Sequence, residues 1–138
     1  GPTGRWIRRP TPLDWRFLKA QAVAESGLDP DAVSPVGAAG LTQFMASTFD
    51  EWVARQFGGP PPPNRHISRD DPEDAIWAQA DMMAWLLTHW QGDRRKALSS
   101  YNWGIGRVTR AVAARGDDWE AALPEETRGY LRKILGDG

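Results

Sequence analysis

The sequence predicts a mainly α fold: a single domain with at most a short β element in its loops. Three observations lead there. Apolar residues recur at helical spacing in several stretches, glycine and proline punctuate the ends of those stretches, and no segment sustains a period-two alternation. At 138 residues the chain is long enough to bury one core without staples. Residues 1–4 read as a protease-cleavage scar, since Gly1-Pro2 opens the chain without an initiator Met, so 5–138 is expected to be the domain, of a processed protein or one cut from a longer polypeptide.

The first helix is expected from Leu13 to about Ser26, with Pro12 in its first turn, Leu13, Phe17, Leu18, Ala22 and Glu25 at helical spacing, and Gly27 as its stop. Residues 28–40, rich in Pro, Gly, Ala and Asp, read as an irregular, tightly packed loop. Ser47 and Thr48, followed by Asp50 and Glu51, suggest an N-cap for a helix to about Phe57. The run Gly58 to Asn64, GGPPPPN, reads as a stiff extended connector, with a groove wall as the sharper alternative. Asp71-Pro72 then opens a long helix whose stripe is Ile76, Ala80, Met83, Leu87 and Trp90, ended by Gly92. Shorter helices are expected over 94–101, 108–115 and 125–135, separated by Gly104, Gly106, Gly116 and Pro124.

Composition narrows the chemistry. The 17 basic and 18 acidic residues nearly cancel, so no overall positive field points to nucleic acid or an anionic membrane. With no cysteine, disulfides, thiolate metal sites and thiol nucleophiles are ruled out. No apolar run approaches the roughly 20 residues of a membrane span, and the N-terminus lacks the apolar core of a signal peptide. His66 and His89 have no metal-ligand spacing, and Gly104-Ile-Gly106 lacks the third glycine of a dinucleotide loop, so no metal or cofactor is expected. The Arg94-Arg95-Lys96 cluster reads as a solvated helix face, with anionic peptides as its alternative partner.

Glu25 is the carboxylate that stands out. At about 100° per residue, Leu18, Ala22 and Glu25 share one helix face, so the carboxylate lies on the apolar stripe. Burial and the negative end of the helix dipole both disfavour its charged form and predict a raised pKa, as a general acid requires. On spacing alone, a solvated or salt-bridged glutamate is the stronger reading.

The surrounding run tips that balance. The stretch ESGLDPDAVSPVGAAGLTQFMAST, from Glu25 to Thr48, resembles the signature of the soluble-type (SLT) lytic transglycosylases, relatives of goose-type lysozyme. The matching positions are Glu25-Ser26-Gly27, Pro30, Ala32, Ser34, Gly37-Ala38, Gly40-Leu41, Gln43, Met45 and Thr48. SSYNWGIGRV at 99–108 is similar to the family's Ala-Tyr-Asn-x-Gly-x-Gly-x-Val segment, and PEETRGYLRKI at 124–134 to its Glu-Thr-x-x-Tyr-Val-x-x-Ile segment, in the same order. Ser100, Ala75, Gln79 and Met82 depart from the usual Ala, Asn, Gly and Tyr, which puts the packing of the long helix in question rather than the chemistry.

The resemblance implies a lysozyme-like domain that cleaves the β-1,4 bond between N-acetylmuramic acid and N-acetylglucosamine in peptidoglycan, at the cell envelope or from a virion. Glu25 would be the sole catalytic acid and base. Ser34, Gln43, Met45, Tyr101, Asn102 and Trp103 would bind glycan, while Ser26, Gly40 and Glu126 would support the site. For Gln43 and Asn102 a loop-pinning hydrogen bond is the alternative role; for Tyr101 and Met45, core packing; for Glu126, a helix cap. Trp103 is the sugar-stacking candidate, whereas Trp52, Trp77, Trp85 and Trp90 are expected in the core. The resemblance further implies cleavage without hydrolysis, the muramoyl C6 hydroxyl closing a 1,6-anhydro ring; goose-type lysozymes typically carry an aspartate where Met45 stands, which favours that ring closure over hydrolysis. Asp29, Asp31 and Asp50 lie near enough in sequence to serve a hydrolytic reading, and a wall-binding module without turnover is the remaining alternative.

Overall fold

A computed structural model describes residues 14–58 and 66–136. Within them the chain forms six α-helices: α1 (Trp15–Ser26), α2 (Ala46–Phe57), α3 (Pro72–His89), α4 (Arg94–Trp103), α5 (Ile105–Arg115) and α6 (Glu125–Leu135), with a short 3-10 run at Gly116–Ala122. The expected short β element takes the form of isolated bridges from Ala39 to Val33 and to Phe44. No described helix is long and apolar enough to cross a membrane. The expected cleavage scar, Pro12, Leu13 and the Pro-rich connector beyond Gly58 lie outside the described residues.

The chain divides into two compact units, the first reaching Met82 and the second starting at Met83. In the first, α1 starts two residues later than expected. Asp14 caps it by accepting from Arg16 N at 2.9 Å, and Gly27 ends it by donating to Val23 O. Its inward residues are Phe17, Gln21 and Ala22, with Leu18 and Glu25 half-buried.

The cap of α2 corrects the sequence reading: it is Met45, not Ser47 or Thr48, and Met45 has no side-chain bond to offer the helix N-terminus. Tertiary contacts set this start instead. The Ala39 bridge fixes Phe44 in extended backbone, and the Phe44 ring meets Phe49 edge-on at 5.5 Å. Phe44 precedes the cap and Phe49 is the fourth helical residue, so the pair forms a hydrophobic staple. Phe49, Trp52 and Val53 then face the core.

Asp71 caps α3 as expected, its Oδ1 accepting from Glu73 N at 2.9 Å and Asp74 N at 3.2 Å. The buried face is different from the expected stripe. Ile76 is 45% exposed, while Ala75, Ala78, Gln79 and Asp81 are buried beside Met83 and Leu87. Polar partners explain the shift. Gln79 Nε2 donates to Gln21 Oε1 at 2.8 Å and Leu18 O at 3.0 Å, and Asp81 accepts from Trp52 Nε1. A fully buried glutamine and aspartate are tolerable because they are hydrogen-bonded. Ala75 and Gln79, two of the departures from the family pattern, are thus accommodated: the Ala75 carbonyl accepts from Thr42 Oγ1 at 3.2 Å, and Gln79 finds its match in Gln21.

In the second unit α4 packs on α5 and α6, and α5 packs on the 3-10 run. Asp93 caps α4 by accepting from Lys96 N at 3.0 Å. Both α4 and α5 are longer than expected, because Gly104 alone, at φ 109°, separates them while Gly106 stays helical. Ser100, another departure, accepts from Trp90 Nε1 at 2.9 Å, a bond alanine could not make. The segment between Gly116 and Pro124, expected only to separate two helices, is a 3-10 run that carries the buried Trp119. Of the tryptophans expected in the core, only Trp52 is buried; Trp77, Trp85 and Trp90 are half-exposed. Trp85 instead stacks on the exposed His89 at 5.1 Å.

Candidate active site

Glu25 occupies the last turn of α1, where the unpaired carbonyls of a helix end concentrate negative potential. The side chain is half-buried overall, and its Oε2 is sealed from solvent. The next residue fixes this helix end against the following loop. Ser26 Oγ donates to Leu41 O at 2.6 Å and accepts from Asp29 N at 3.2 Å. Ser26 thereby joins the turn that carries Glu25 to the loop 32–45.

Many of that loop's hydrogen bonds are local. Ser34 N donates to Ala38 O at 2.8 Å, Ala38 N to Ser34 Oγ at 3.0 Å, Gly40 N to Ala32 O at 2.9 Å and Ala39 N to Phe44 O at 3.0 Å. Ser34 thus shapes a tight turn at its own position. Gln43 sits at φ 54°, a left-handed conformation unusual for a side-chain-bearing residue. Its Nε2 donates to Ala32 O at 3.0 Å and Gly40 O at 2.9 Å. The amide nitrogen of Gln43 is therefore committed to pinning the loop, and its Oε1 is what it can present to a ligand. Met45 is 41% exposed at the start of α2 and is not a core residue.

Gly40 has a specific steric role. A Cβ placed there would lie 2.0 Å from the carbonyl oxygen of Arg69, and φ is +84°. The Arg69 side chain reaches the same loop, Nη1 donating to Gly37 O at 2.8 Å and Phe44 O at 2.7 Å. Sequence reading missed Arg69, which has no motif of its own and follows the Pro-rich stretch.

The second unit holds the remaining candidates. Tyr101, Asn102 and Trp103 form the half-buried C-terminal turn of α4. Asn102 Oδ1 accepts from the buried Thr127 Oγ1 at 2.8 Å, which leaves the Nδ2 donors as what Asn102 can offer a sugar. Thr127 is a partner that sequence reading missed; its neighbour Glu126 is exposed in the first turn of α6. The basic cluster is largely paired, Arg95 with Glu120 at 2.6 Å and Lys96 with Asp93 at 3.7 Å. Asp29, Asp31 and Asp50 are exposed, and Asp29 Oδ1 accepts from Asp31 N in a local turn. Among the described residues no cluster of His, Cys, Asp or Glu could hold a metal ion.

Residues 8–123 match the family described as the Transglycosylase SLT domain. The chain is 35% identical over 138 aligned residues to the membrane-bound lytic murein transglycosylase D of Escherichia coli, covering 96% of this chain and 28% of that protein. It is 33% identical over 126 residues to the peptidoglycan transglycosylase gp16 of Escherichia phage T7, covering 89% of this chain and 9% of that one. Among solved structures, the lytic transglycosylase Slt of Pseudomonas aeruginosa, an inactive glutamate-to-glutamine mutant, superposes with a TM-score of 0.75 at 29% identity, over 94% of this chain and 22% of that one. The 70 kDa soluble lytic transglycosylase of Escherichia coli superposes with a TM-score of 0.76 at 26% identity, over 96% and 22%. The chain thus spans 28% or less of the length of each of these relatives. With most of its length matched by one family and its helices superposing on solved members, this chain belongs to the transglycosylase SLT family and has its mainly α, lysozyme-like fold.

Proposed function

We propose that residues 5–138 act as one catalytic domain, a peptidoglycan lytic transglycosylase in which Glu25 is first the acid and then the base. The observation that carries this reading is the placement of Glu25: a carboxyl group at a helix C-terminus with Oε2 sealed from water, tied through Ser26 to the hydrogen-bonded loop 32–45. Such surroundings favour the neutral acid. The glutamate-to-glutamine change in the inactive Pseudomonas aeruginosa relative is of the kind that disables a proton donor.

In the proposed reaction Glu25 protonates the glycosidic oxygen between N-acetylmuramic acid and N-acetylglucosamine, and the C1–O bond breaks. The carboxylate then removes the proton from the muramoyl C6 hydroxyl, whose oxygen bonds to C1. The products are a 1,6-anhydromuramoyl end and a free C4 hydroxyl, with Glu25 reprotonated and no water consumed. Because the sugar supplies the nucleophile, a second catalytic carboxylate of the usual glycosidase kind is unnecessary. In this reading Ser34, Gln43, Met45, Tyr101, Asn102 and Trp103 contact glycan, and Ser26, Gly40 and Glu126 support the site. The setting is the cell envelope or a virion, within a larger polypeptide, as the names and lengths of the bacterial and phage relatives support.

The experiment is digestion of purified peptidoglycan by the wild type and by Glu25→Gln, with mass spectrometry of the fragments. Anhydromuramoyl ends from the wild type and none from a folded, glycan-binding Glu25→Gln protein are expected. Reducing muramoyl ends would replace this reading with hydrolysis, and an active Glu25→Gln would remove Glu25 from its role.

A further inference from the structure

We propose that Arg69 is a positioning residue that holds the loop 32–45 in the shape that receives glycan. The inference rests on the transglycosylase reading and extends it to a residue outside all three motifs. Arg69 grips the loop at three places. One nitrogen, Nη1, donates to Gly37 O at 2.8 Å and to Phe44 O at 2.7 Å, joining two carbonyls seven residues apart in the chain. Its own carbonyl oxygen occupies the space that a Cβ on residue 40 would fill.

The chemistry of the side chain suits that task. The two protons on one guanidinium nitrogen diverge in a fixed plane, so a single Nη can satisfy two separate acceptors, and a charged donor makes each bond stronger than a neutral one would. The loop's other ties are mostly within itself: Gln43 to Ala32 and Gly40, and Ser34 to Ala38. Ser26 holds Leu41 from one side and Thr42 bonds to Ala75 O, while Arg69 bonds both Gly37 and Phe44. The Phe44 bond also sits directly before Met45, the exposed residue at which α2 begins. Val36 and Met45, which stand outward on this loop, are displayed at either end of the segment that Arg69 spans.

Glu25 is carried by α1, whose cap and C-terminal bonds do not involve Arg69. Loss of the clamp should therefore loosen the glycan-binding wall and leave the acid in place. The effect belongs in KM more than in kcat, the signature of lost substrate binding rather than lost transition-state chemistry.

The test compares the full chain with Arg69→Gln and Arg69→Lys by amide hydrogen exchange and by kinetics on soluble glycan strands. In Arg69→Gln the amides of Ala38, Ala39 and Gly40 should exchange about tenfold faster, while those of α1 are unchanged, as for a local rather than global opening. KM should rise about tenfold with kcat within about threefold, the scale of one or two lost charge-assisted bonds. Arg69→Lys should fall between, since it keeps the charge and loses the planar fork. In a third variant, Arg69→Ala, whose cavity can admit the free ion, millimolar guanidinium should lower KM, a rescue that a general loss of stability would not show. A folded Arg69→Gln with wild-type KM and wild-type loop exchange would overturn the assignment, as would a loss confined to kcat. Wild-type protein inert on glycan would instead contradict the transglycosylase reading, and the loop exchange would still decide whether Arg69 is the clamp.

Discussion

Gly37 and Gly40 both have positive φ, 93° and 84°, but they face different surroundings. A Cβ on residue 37 meets nothing within 4 Å, whereas on residue 40 it would meet Arg69 O at 2.0 Å. Gly37→Ala should therefore cost about 1 kcal/mol, the backbone penalty alone. Gly40→Ala must also displace backbone, and should cost more than about 3 kcal/mol. Urea denaturation of the two variants measures the difference, and equal costs would deny the close approach. Ser99 makes the opposite case. It is fully buried, and its Oγ has no hydrogen-bond partner among the described residues. Ser99→Ala should raise stability by about 1 kcal/mol, because it removes a desolvated hydroxyl at little loss of volume.

Helix ends show how far local chemistry carries. Asp71 and Asp93 cap their helices where a sequence reading places the starts, and Gly27 ends α1. The start of α2 was illegible because a bridge and an aromatic staple, not a capping side chain, determine it. The inward face of α3 was misread for a related reason: periodicity counts apolar residues, and this helix buries Gln79 and Asp81. The Gln21–Gln79 bond, between residues 58 apart, should behave as a unit. Gln79→Leu alone takes away the donor to the buried Gln21 Oε1 and should cost about 1–3 kcal/mol. The double change to leucine should recover much of that, giving a coupling of at least about 1 kcal/mol in a double-mutant cycle. At the start of α6, the Arg132 guanidinium, bonded at 2.6 Å, holds the Glu125 carboxyl below its ordinary value. A depressed carboxyl stabilises the fold above its unfolded pKa and loses that contribution as pH falls through the folded value. The pair is exposed, so the effect should be small and screened by salt. In an NMR titration, Arg132→Ala should bring the Glu125 midpoint back up towards the ordinary carboxylate range with the helix intact.

At the scale of the whole molecule, the mainly α class was legible in helical periodicity and punctuation, and the family in three ordered motifs. The supporting contacts were not. Arg69 bonds Gly37 and Phe44 from 32 and 25 residues away, and Thr127 bonds Asn102 across 25 residues. Neither pairing leaves a trace in periodicity or local composition, since each depends on where folding returns the chain. Met45 shows the same limit: its motif position is plain in the sequence, but its exposure at the start of α2 follows from the staple behind it. The Arg69 bonds explain how the loop beside Glu25 is held, while the proposed reaction has Glu25 acting alone with a nucleophile drawn from the sugar. Mass spectrometry of peptidoglycan fragments tests that claim most directly. The account predicts muramoyl ends lighter by one water than hydrolysed ends, lost in Glu25→Gln; reducing muramoyl ends, or cleavage that survives Glu25→Gln, would contradict it.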